Sequence, residues 1–68
     1  MVFLGKLMSY REWRERRNQA SILIGYVIHA ARGKKREAWR VYNEWRRGKL
    51  TFSEAERKLR SITGLNRP

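Results

Sequence analysis

The sequence predicts an all-α fold of three helices, and three observations carry that prediction. Ser9 with Glu12, and Thr51 with Glu54, have the Ser/Thr-x-x-Glu spacing of a capping box, in which two side chains satisfy free backbone N–H groups at a helix start. Ala38, Val41, Tyr42 and Trp45 recur at i, i+3, i+4 and i+7, the spacing of one helix face. The one proline is Pro68, so no helix is interrupted from within.

Helix 1 is expected over 9–32, with Ser9 as cap and Gly33 as the first plausible stop after Gly25. Its first half sets Arg11, Arg14, Arg16 and Arg17 around a thin apolar stripe of Tyr10, Trp13 and Ala20. Its second half, from 20 to 31, is apolar nearly all round, and a helix apolar on every side has to be buried on every side. One short hairpin cannot do that. A homo-oligomer is therefore expected, with its interface through Ile22, Leu23, Ile24, Gly25, Tyr26, Val27 and Ile28. Gly25 and Ser21 form a small-x-x-x-small surface there, open to close backbone approach or simply a tolerated glycine. The run Ile22 to Ile28 is also rich enough in β-branched residues for a buried strand, but the chain offers no second strand to pair with it.

Helix 2 is expected over 34–47, ending at Gly48. Opposite its apolar face stand Arg36, Arg40, Asn43 and Arg47, spaced i, i+4, i+7 and i+11. It either folds back at Gly33 as an antiparallel hairpin or continues helix 1 through a kink. Helix 3 is expected over 51–63, with Leu50 and Ala55 placed for a hydrophobic staple and Gly64 as its stop. Ala55, Leu59 and Ile62 form its buried edge, and Glu54–Lys58 and Glu56–Arg60 are favourable i, i+4 pairs. An apolar arm (1–8) and a short tail (64–68) complete a single domain of 68 residues. The stretch Trp45 to Leu59, with Gly-Lys-Leu-Thr followed by Glu and then Leu, resembles the hinge of short SHOCT-type helical hairpins. That resemblance carries no functional residue with it.

Charge directs the functional reading. Twelve Arg and five Lys face six Glu and no Asp, giving a net +11, and a compact chain with that imbalance repels itself unless a polyanion relieves it. Nucleic acid is the expected partner, because arginine suits bidentate phosphate contact and stacking; that chemistry is common to DNA and RNA, with duplex DNA favoured and RNA possible. From Arg32 to Lys49 eight basic residues oppose two glutamates, so +6 of the net +11 lies in that stretch. The expected phosphate-contacting residues are Lys34, Lys35, Arg36, Arg40, Asn43, Arg46, Arg47 and Lys49, with Arg11, Arg14, Arg16 and Arg17 from helix 1. Little in that pattern reads bases, so contact largely without sequence preference is expected, suited to genome coating, packaging or compaction, or to holding a ribonucleoprotein particle together.

Other classes have less material. Every carboxylate is a Glu with Arg or Lys within helical reach, which favours its ionised form rather than the raised value a general acid needs. His29 has no Cys or Asp to work with, so neither an enzyme nor a metal or other cofactor is expected. Residues 22–31 span about half a bilayer, so a soluble chain inside a cell or a virion is expected rather than a membrane or secreted protein. Two alternatives remain: an adaptor or inhibitor docking on a larger acidic protein through the apolar arm, and a helix-turn-helix regulator. The second is opposed by Glu54 and Glu56 at the end of helix 3 that would approach DNA. The arginine-rich composition without Cys or Asp also fits work at high temperature.

One pattern is left over. Tyr-x-Glu-Trp-Arg occurs at Tyr10–Arg14 and again at Tyr42–Arg46. Each pair of rings sits at i, i+3 on a helix face, so packing is the simplest reading. Trp45 belongs to the core face, whereas Trp13 and Trp39 have no evident packing role and are open to base stacking, cation–π contact or a protein interface.

Overall fold

The computed structural model describes residues 9 to 64, which form α1 (Tyr10–His29), one 3-10 turn (Arg32–Lys34), α2 (Lys35–Arg46) and α3 (Phe52–Thr63). There is no strand among the described residues, and Ile22 to Ile28 is helical. The apolar arm and the last four residues of the tail lie outside the described part.

Both capping boxes form. Ser9 Oγ accepts from the Glu12 N–H at 3.1 Å, and Glu12 Oε1 accepts from the Ser9 N–H at 3.1 Å. Thr51 and Glu54 repeat the exchange at 3.1 and 2.9 Å. Gly48 and Gly64, placed from sequence at the ends of α2 and α3, adopt the positive φ (83° and 73°) that glycine takes without a Cβ penalty.

The Thr51 N–H holds the Glu54 carboxyl below the ordinary carboxylate value, with further lowering from the Thr51 hydroxyl, Arg57 and Lys58 that outweighs desolvation. A depressed folded-state value means the cap contributes above the unfolded carboxylate value and fades as pH falls through the folded one. Glu54→Ala should therefore destabilise the protein at neutral pH, and its unfolding midpoint in urea should converge on that of the wild type as the buffer is acidified.

Helix α1 ends earlier than expected, at His29 rather than Arg32. Ala30 and Ala31 are extended, and the last carbonyls of α1 find a partner from the returning chain: Lys35 Nζ donates to Ile28 O at 2.8 Å and to Val27 O at 3.3 Å. An ammonium at a helix C-terminus satisfies orphan carbonyls and complements the helix dipole. The chain then reverses through the 3-10 turn, where the Lys34 N–H bonds Ala31 O at 2.8 Å. Far along α2, Trp45 O and Arg46 O accept from Arg16 of α1 at 3.3 and 3.4 Å, so α1 and α2 form an antiparallel hairpin and not one kinked helix.

Helix α3 packs against both arms of the hairpin, making a three-helix bundle. Its core is Leu23, Tyr26, Val27 and Ala30, then Ala38, Val41 and Trp45 of α2, and Ala55 and Leu59 of α3. Tyr42, Leu50, Phe52 and Ile62 close its margin. Tyr26 O–H donates to Glu56 Oε2 at 3.2 Å, tying α1 to α3, and Glu56 also meets Arg60 at 3.2 Å as expected. Glu54, occupied at the cap, forms no ion pair with Lys58.

This packing corrects the premise of the expected interface. Leu23, Tyr26 and Val27 lie in the chain's own core, because α3 covers α1 where a second copy was expected to. Ile24 and Gly25 are half-buried, while Ile22 (48% exposed) and Ile28 (63%) point outward. A Cβ on Gly25 would meet nothing within 4 Å, so no neighbouring backbone in this chain requires a glycine there. Among the described residues no helix is long and apolar enough to cross a membrane.

Candidate nucleic-acid interface

Burying Ala38, Val41 and Trp45 turns the opposite face of α2 to solvent. Arg36, Arg40, Asn43 and Arg47 are all exposed there, as their spacing predicts, and Lys34 is exposed in the turn beside them. No salt bridge among the described residues satisfies Arg36, Arg40 or Arg47. With Trp39, Glu44 and Lys49 they line a shallow groove of about 550 Å³. Arginines held on a helix that is fixed by its own core present their forks at set intervals without much ordering on contact.

Two of the twelve expected phosphate contacts are used inside the molecule. Arg16 donates to the carbonyls at the end of α2, and its guanidinium lies 4.2 Å from the centre of the Trp45 ring, so it joins α1 to α2. Lys35 caps α1. A signal for both was present: Arg16 continues the Ala20, Leu23, Val27 face at i, i+4, i+7, i+11, and Lys35 precedes Ala38 and Tyr42 at i, i+3, i+7. A cation at the end of an apolar stripe is carried inward with it. Arg11, Arg14 and Arg17 are exposed on α1, and Arg46 on α2.

The repeated Tyr-x-Glu-Trp-Arg motif yields one local geometry in two settings. Tyr10 and Trp13 have ring centres 5.9 Å apart and tilted by 31°; Tyr42 and Trp45 stand at 5.8 Å and 43°. The second pair belongs to the core, with Trp45 3% exposed. The first does not: Trp13 is 47% exposed, with the Arg17 guanidinium 5.3 Å from its centre. Trp39, 43% exposed, meets Tyr42 edge to face at 5.5 Å. Trp39, Tyr42 and Trp45 thus form an aromatic ladder from the basic groove into the core, closed at its inner end by Arg16.

A smaller groove lined by Asn43, Arg46 and Arg47 adjoins the first, and Arg46 also lines a cleft of about 290 Å³ between α1 and the end of α2, together with Trp13 and Arg17. Trp39 and Trp13 thus line two grooves joined through a third by Asn43, Arg47 and Arg46. Comparison with protein-family models, with curated proteins and with solved structures finds no match to this chain.

Proposed function

We propose that this protein is a non-enzymatic nucleic-acid-binding module that grips phosphates without strong sequence preference and serves to coat, compact or package a genome or to stabilise a ribonucleoprotein. The observation that carries the reading is the row Arg36, Arg40, Asn43, Arg47: outward-facing, held by a formed core, and without carboxylate partners among the described residues. A row of guanidiniums on a fixed helix is an electrostatic footprint for a phosphate backbone. The first turn of α3 is a poor approach for DNA, because Glu54 is kept ionised there by its cap. That argues against a helix-turn-helix regulator led by α3. Assembly of copies along the nucleic acid belongs to the same proposal, through the outer face of α1 where Ile22 and Ile28 flank Gly25.

Titration of the full chain with DNA and RNA at several salt concentrations tests it. The logarithm of the affinity should fall linearly with the logarithm of salt concentration, by several units of slope, as counterion release requires. A solution mass measured free and bound reads the assembly. Absence of binding in dilute buffer, or an affinity indifferent to salt, would refute the proposal.

A further inference from the structure

A face built only for the phosphates of a duplex has no use for a large, half-exposed indole in its arginine row. Base faces are hidden in a duplex stack, and an unpaired tryptophan surface in water is an unfavourable exposure of apolar area. Trp39 sits in that position, beside Arg36, Arg40 and Asn43, its orientation fixed by edge-to-face contact with Tyr42. A single strand offers what a duplex hides: a π-face on every base, and a flexible backbone that a basic groove can follow.

We propose that the ligand of this face is single-stranded nucleic acid, with an unpaired base stacked on Trp39 and the backbone following Asn43, Arg47 and Arg46 toward Trp13. This rests on the nucleic-acid reading above and replaces the duplex expected from the sequence. Trp13 is the secondary platform, because a base stacking there takes the place of the Arg17 guanidinium. The track is continuous: Asn43 and Arg47 are common to the first two grooves, and Arg46 to the next two.

The test compares the full-length wild type with Trp39→Ala and Trp39→Phe for binding to oligo(dT), oligo(U) and a duplex of equal length, with circular dichroism as a check on folding. Trp39→Ala should lose on the order of tenfold to hundredfold in affinity for the single strands, with the duplex little affected and the salt slope unchanged, since no charge is removed. Trp39→Phe should lose less. A second measurement does not depend on the alanine variant folding: in Trp13→Phe the remaining indoles are exposed Trp39 and buried Trp45, and single strands should quench the fluorescence where duplex does not. Equal losses for both ligands, or no loss and no selective quenching, would overturn the inference while leaving phosphate binding intact. A wild type that binds neither ligand would end both.

Discussion

Reversing three charges at once, Arg36→Glu, Arg40→Glu and Arg47→Glu, should lower the affinity for nucleic acid by at least about a hundredfold at moderate salt. It should also make the dependence of log affinity on log salt shallower by about 2 to 3 units, since each lost phosphate contact removes roughly 0.7 of a unit for a single strand and 0.9 for a duplex. All three side chains are exposed and contribute nothing to the core, so the bundle should fold as before. A paired variant separates a located interface from bulk charge. Arg57→Glu alters an exposed residue of α3 outside the groove around the row, and should cost far less affinity per charge changed. Comparable losses per charge in the two variants would reduce the row to part of a diffuse positive field.

The second large effect is on stability, and it uses the repeated motif as an internal control. Trp45→Ala should cost about 3 to 5 kcal/mol, as removal of a buried large aromatic side chain does. Trp45 is packed between helices and carries the Arg16 guanidinium on its face, so its loss removes that cation–π contact of the α1–α2 joint along with a cavity's worth of contacts. A domain of this length has only a few kcal/mol in hand, so the variant should be largely unfolded near room temperature. The matching change in the first copy, Trp13→Ala, should cost about 1 kcal/mol or less, since a half-exposed ring leaves no cavity. Urea unfolding followed by circular dichroism measures both. Similar costs at the two sites would mean that Trp13 is structural and not a binding platform.

Local chemistry made much of this fold legible in advance. The boxes at Ser9 and Thr51, the glycine stops at 48 and 64 and the buried face of α2 all depend on residues within a turn or two of one another, and those relations survive whatever the rest of the chain does. The same holds for the candidate interface, since the outward direction of Arg36, Arg40, Asn43 and Arg47 follows from where Ala38, Val41 and Trp45 must point. What could not be read was decided between distant residues. No breaker marks the end of α1 at His29; the helix stops where Lys35 takes its carbonyls. The apolar second half of α1 looked too greasy for one chain because it was weighed against the hairpin alone, whereas α3 covers it through Ala55, Leu59 and a bridging Glu56. Arg16 and Lys35 are grouped with the other cations by composition, and only their register with the apolar stripes sets them apart.

The inward turn of Lys35 has a chemical corollary. Its ammonium donates to two main-chain oxygens, so acylation, which leaves one N–H and no charge, would deprive the closing turn of α1 of one of these bonds and of its cation. Lys34, beside it in the chain, is exposed and has no such ties. Of two consecutive lysines, acyl-transferring reagents and enzymes should therefore reach Lys34 more readily than the inward-turned Lys35, and whatever acylates Lys35 loosens a helix end in doing so.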